Sequence, residues 1–113
     1  MAHETANWPG KSGRSYTLTV YNKDTSFEEI DGNYIFAKKT QAGWDAIYIG
    51  EGDLKTRTQD SEHLKCANLN WFTHFHVQTN QDEAKRKEEE ADLVGGNPEC
   101  LAENGGCNNT TVG

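Results

Sequence analysis

Asp31-Gly32-Asn33-Tyr34-Ile35-Phe36-Ala37-Lys38 and, after a polar loop, Asp45-Ala46-Ile47-Tyr48-Ile49-Gly50 decide the fold of this chain. Asp31-Gly32-Asn33 is a turn signal that leads into a strand from Tyr34 to Lys38. A second strand runs from Asp45 to Ile49, and the short loop from Lys39 to Trp44 predicts that the two pair as a hairpin. Gly50 and Gly52 permit a tight bend, and Asp53 then reads as the N-cap of a helix bearing Leu54, Arg57, Ser61 and Leu64. Two tyrosine-bearing strands, a glycine turn and a helical arginine thus fall within a short window.

Outward from this hairpin the pattern stays β-rich on one side and helical on the other. Tyr16, Leu18 and Val20 alternate with Thr17, Thr19 and Tyr21, the period of a half-buried strand. The aromatic and β-branched run from Trp71 to Val77 predicts another strand. Asn80, with Glu83 three residues on, resembles a capping box opening a helix from about Gln81 to Val94, which Gly95-Gly96 and Pro98 should end. The implied class is α+β: a small, mainly antiparallel central sheet flanked by helices. Residues 1–14 read as a flexible arm, 15–101 as the single domain and 102–113 as a disordered tail, because both ends are poor in large apolar groups.

The 113 residues suffice for one modest core. Only 34% of them are hydrophobic, but three Trp, four Tyr and four Phe concentrate between positions 8 and 76, so a core should form there. No run approaches the roughly 18 apolar residues of a membrane span. Met1-Ala2-His3-Glu4-Thr5 has neither the basic nor the apolar part of a signal peptide. Three cysteines, Cys66, Cys100 and Cys107, suit reduced thiols better than a disulfide framework. A soluble cytoplasmic protein without membrane contact is therefore expected. The net charge of −7 argues against a sequence-tolerant nucleic-acid coat protein. The charge is uneven, because residues 82–103 hold eight acidic groups against three basic ones. A local basic face would have to come from Lys38, Lys39, Lys55, Arg57 and Lys65.

Gly32-Asn33-Tyr34 followed by Tyr48-Ile49-Gly50, with Arg57 nine residues after Tyr48 and an acidic helix downstream, resembles the GIY-YIG nuclease family. The resemblance spans about Gly32 to Pro98. It implies a metal-dependent endonuclease that hydrolyses DNA phosphodiester bonds at a single-metal site holding Mg²⁺ or Mn²⁺. It further implies that Tyr34 and Tyr48 line the site, one assisting deprotonation of the attacking water, that Arg57 contacts the scissile phosphate, and that Glu90 binds the metal. His63, six residues after Arg57, stands roughly where some members place a group that assists at the phosphate.

Elementary chemistry agrees with these residue types. A guanidinium fork matches a phosphate's paired oxygens. A hard carboxylate oxygen suits Mg²⁺. A free phenol, with a pKa near 10, is a poor base at neutral pH unless a cation lowers it. Among Glu88, Glu89 and Glu90, a helical period puts Glu90 on the sheet-facing side with Ala84, Leu93 and Val94. Glu83 shares that face but belongs to the first turn. His74 and His76 share a strand face and read as structural.

Two departures from the family pattern matter. Glu51 stands where the family's repair incision enzyme often has lysine, which brings negative charge toward the phosphate. Leu101 stands where an asparagine is expected, with Asn97 and Asn104 as possible substitutes. They leave a second function class open, an inactive module of the same fold that binds a protein or nucleic acid. Small free-standing members of the family often work with a targeting partner, so the resemblance also points to a protein partner for the enzyme. A structural zinc on Cys66, Cys100, Cys107 and a histidine is disfavoured, since no CxxC pair exists.

Overall fold

A computed structural model describes residues 3–109 as a small α+β fold. Its strands are β1 (Thr5–Pro9), β2 (Ser15–Asn22), β3 (Asp31–Thr40), β4 (Gly43–Asp53) and β5 (His74–Thr79); its helices are α1 (Leu54–Thr58), α2 (Ser61–Leu69) and α3 (Glu83–Gly96). One sheet in the order β1-β2-β5-β3-β4 has every neighbouring pair antiparallel. The predicted hairpin forms β3 and β4, with Ile35 opposite Ile49 and Tyr34 opposite Gly50.

Alternation fixes what each face carries. Tyr16, Leu18, Val20, Ile35, Ala37 and Ile49 form one core with Trp8 and with Leu93 and Val94 of α3. Tyr34, Phe36, Phe75 and Val77 form the other with Phe72, Leu54 of α1 and Ala67 of α2. The sheet is therefore sandwiched between α3 and the α1–α2 pair, and residues of opposite parity on β3 serve different layers.

The termini differ from the sequence expectation. Residues 5–9, expected within a loose arm, pair with β2 and bury Ala6 and Trp8. Trp8 Nε1 donates to Nδ1 of the fully buried His76 at 2.9 Å, so a single aromatic anchors an otherwise polar segment. Residues 102–109, expected to be disordered, instead close the open edge of β4. Cys107 N donates to Ile47 O, and the buried Asn108 side chain accepts from Ile49 N and donates to Ile49 O, both at 2.8 Å. Polar groups that cannot fill an apolar core here satisfy a sheet edge, which local hydrophobicity does not report. The remainder of the tail expectation, residues 110–113, lies outside the described residues, as do Met1 and Ala2.

Cys66 and Cys107, expected as thiols, form a disulfide across 41 residues, while Cys100 is free and buried. Such cross-links persist in oxidising compartments. The Cys66–Cys107 bond thus removes reduced cysteines as a sign of a cytoplasmic location. Among the described residues no helix is long and apolar enough to cross a membrane.

Smaller shifts have local causes. The helix expected after Asp53 breaks near Gln59, because Asp60 caps a second helix by accepting from Glu62 N and His63 N. α3 starts at Glu83 rather than Gln81, capped by Asp82 through Lys85 N. It continues through Gly95 and Gly96, where a Cβ at Gly96 would collide with Pro9 O of β1. β5 starts at His74, since Trp71 adopts a left-handed φ of 63°.

Burial pulls the His76 pKa down from 6.5 to about 4, and the charges of His74 and Lys39 push the same way. The neutral ring contributes stability that is fully present above about 6.5 and lost as pH falls through 4. Wild-type protein should therefore lose more unfolding free energy between pH 6.5 and 4 than His76→Asn does, by roughly 2–3 kcal/mol in urea titrations. Parallel pH slopes for the two proteins would contradict this role.

Candidate active site

Tyr34 on β3 and Tyr48 on β4 point to the same side of the sheet, with ring centroids 6.1 Å apart. Gly50 makes room for this pair, because a Cβ there would collide with the Tyr34 hydroxyl and crowd the Tyr48 ring. The second glycine of the bend, Gly52, has φ 132° and lies beneath Arg57, whose Nε would stand 3.0 Å from a Cβ at that position. The glycines after Tyr48 thus set how closely β4 approaches the Tyr34 and Arg57 side chains.

His63 stacks on Tyr48 with centroids 4.3 Å apart and planes 27° from parallel. Its Nδ1 is 3.6 Å from Asp60 Oδ1, so the carboxylate that caps α2 also faces the imidazole. Arg57 projects from α1 and is exposed. Glu90 comes from the layer on the other side of the sheet yet is only 6% exposed and has no ion-pair partner among the described residues.

The groups are close enough to alter one another's ionisation. Burial raises the Glu90 carboxyl to about 7, the charge of Glu51 adds to the rise, and Arg57 and Lys87 oppose it. Burial also raises both phenols. For Tyr34 the neighbouring Tyr48 adds to this, Arg57 opposes it, and Glu90 adds again. For Tyr48 the charge of Glu90 adds to burial, while the Tyr34 hydrogen bond and Arg57 oppose it. Arg57 does act on both phenols in the direction a base requires, but burial outweighs it. Both tyrosines accordingly stay protonated at neutral pH in the protein alone.

All five residues singled out from the sequence, Tyr34, Tyr48, Arg57, His63 and Glu90, therefore belong to one neighbourhood. The sequence reading missed Arg86. Only 5% exposed, it donates from Nε to Glu51 Oε1 at 3.0 Å and from Nη1 to Asn80 O at 3.0 Å. Asp31 Oδ2 lies 3.8 Å from Nη1. Glu51, expected to repel a phosphate, is thus paired. The available signal was an arginine within one turn of Glu90 on a helix face that otherwise packs inward.

The residues raised as substitutes for the missing asparagine hold backbone instead. Asn97 donates to Pro9 O and Leu93 O, and Asn104 donates to Pro98 O. His74 and His76 lie with Trp44 on the opposite face of the sheet, outside the site. Among the described residues no group of three or more His, Cys, Asp or Glu is arranged to hold a metal ion, so neither a zinc cluster nor an all-protein magnesium cage is formed. One buried carboxylate without an ion-pair partner does suit a cation such as Mg²⁺ that keeps most of its shell for water and phosphate oxygens. Comparison with protein-family models, with curated proteins and with solved structures finds no match to this chain.

Proposed function

We propose that this protein is a metal-dependent endonuclease of the GIY-YIG type that hydrolyses DNA phosphodiester bonds. The observation that supports this reading is the convergence of Tyr34, Tyr48, Arg57, His63 and Glu90 from five separate elements, β3, β4, α1, α2 and α3.

Glu90 would hold Mg²⁺ or Mn²⁺, which when bound supplies charge to the phosphate and acidifies its water. The exposed Arg57 guanidinium binds a non-bridging pair of phosphate oxygens and stabilises the charge that develops there. Protonated Tyr34 and Tyr48 orient the attacking water by hydrogen bonding, and the buried edge of the site limits competing solvent. His63, held between the Tyr48 ring and Asp60, is placed to move a proton at the phosphate. The Glu51–Arg86 pair neutralises a carboxylate that would otherwise oppose an anionic substrate.

The test is nicking of supercoiled plasmid and of branched or flapped DNA with Mg²⁺ or Mn²⁺. Arg57→Ala should lower the rate by about 10²–10³, and Glu90→Ala should abolish metal-dependent cleavage. If no substrate is cut by folded wild type, the endonuclease reading fails in favour of a binding module of the same fold.

A further inference from the structure

Apolar side chains this exposed are unusual in so polar a chain. Leu69, the last residue of α2, is 72% exposed, and Trp71, two residues beyond it, is 75% exposed. Their display is built rather than frayed. Phe72, the next residue, is buried and stacks on Phe36 at 5.2 Å, Phe72 N donates to Ala67 O, and Thr73 N donates to Ala37 O. Trp71 is also the sole non-glycine residue with positive φ among those described, and strain of this kind persists only where the surroundings enforce it.

Two lysines stand near this knob. Lys23 reaches over from the end of β2, its Nζ 3.1 Å from Asn68 Oδ1 and 4.8 Å above the Phe72 ring. Lys65 lies one turn before Leu69 on the same exposed helix face. From His63 to Gln81 the chain carries no acidic residue at all, in a protein of net charge −7. Glu62, just before this stretch, lines the cavity beside Tyr48 and His63 instead.

We propose that the α2–β5 corner is a single-strand DNA contact, in which Trp71 stacks on an unpaired base and Lys23 and Lys65 take the flanking phosphates. An exposed indole offers a face to any base, and lysines supply the sequence-independent attraction to the backbone. A preformed corner binds without first having to order itself. Leu69 lies about 9 Å along α2 from His63, six residues at 1.5 Å each, which is roughly three base steps. A strand whose phosphate lies at Tyr48 and His63 therefore reaches Trp71 within a few nucleotides. The inference rests on the endonuclease reading for its substrate class and deepens it, giving preference to DNA with an unpaired segment beside the cut.

The test is binding without divalent metal, which separates it from catalysis. Full-length wild type, Trp71→Ala, Trp71→Phe and Lys23→Ala/Lys65→Ala are titrated with fluorescein-labelled single-stranded DNA, flapped duplex and blunt duplex. Trp71→Ala should weaken single-stranded and flapped DNA by about ten- to a hundredfold and blunt duplex far less. Trp71→Phe should retain most of the affinity while losing the tryptophan quenching that binding is expected to cause in wild type. The double lysine variant should bind all three more weakly and with a shallower salt dependence. Equal affinities for wild type and Trp71→Ala would overturn the proposal. So would a wild-type dimer in sedimentation that Trp71→Ala converts to monomer, because the knob would then be an interface between copies. Loss of binding in Trp71→Ala without any metal-dependent cleavage by wild type would sink the endonuclease reading and leave this contact standing.

Discussion

Arg86→Met is expected to destabilise the fold by about 3–5 kcal/mol, the cost typical of removing one partner from a buried ion pair. The Arg86 side chain is 6% exposed and that of Glu51 14%, so solvent cannot take over the abandoned charge. The substitution leaves Glu51 without its guanidinium and close enough to Glu90 to raise that carboxyl further. Asn80 O loses its donor as well. The methylene stem is largely kept in methionine, so packing contributes little to the loss. Pairing the change with Glu51→Leu should recover most of the stability, because two apolar groups in place of a buried ion pair are often neutral or better. Urea unfolding of the four members of this cycle measures the coupling. A single variant within 1 kcal/mol of wild type would show that the pair is not electrostatically isolated.

Glu90→Gln should make the protein more stable above neutral pH, by about 2–3 kcal/mol at pH 8. The sign follows from burial. The folded carboxyl is raised from 4.5 to about 7, so between these values the folded state holds a proton that the unfolded state has released. Its favourable contribution is complete below 4.5 and is lost as pH rises through 7. Glutamine has no charge to bury, and the two proteins should converge in stability below pH 4.5. His76 acts in the opposite direction over an overlapping range, which flattens the wild-type profile. Removing Glu90 should therefore uncover a steeper loss of stability on acidification. A carboxylate kept where it destabilises the fold accords with the proposed cation-binding role. Mg²⁺ or Mn²⁺ should accordingly raise the thermal midpoint of wild type and not of Glu90→Gln. Identical midpoints with and without metal would separate the stability effect from any metal role.

Much of the local architecture was legible. Alternation in Tyr16 to Tyr21, the β3–β4 hairpin and the Asp53 cap each depend on residues a few positions apart, and the structure keeps all three. The inward direction of Glu90 also followed from helical period alone. Less was legible where polar atoms do structural work. The Asn108 side chain pairs with Ile49 across 59 residues, Trp8 with His76 across 68, and Asp92 accepts from the Ser12 and Tyr16 hydroxyls. Each of these pairs has a polar partner whose own segment gives no apolar signal of burial, so the N-terminal strand and the closing tail read as loose.

Between residues 15 and 96 the sequence by itself determined most of the elements, their order and the face their side chains take, because backbone sterics and the 2.0 and 3.6 periods act over a few residues; β1, the break between α1 and α2 and the closing segment lay beyond it. Which groups meet was decided only in the tertiary structure. Strand order brings β5 between β2 and β3, and α3 returns across the sheet to set Glu90 near Tyr34 and Tyr48 and Arg86 on Glu51. The same packing joins Cys66 to Cys107 and buries the charges whose pKa values it shifts. Burial, desolvation and charge pairing depend on distance in space, and in this chain many of the partners stand 35 to 88 residues apart.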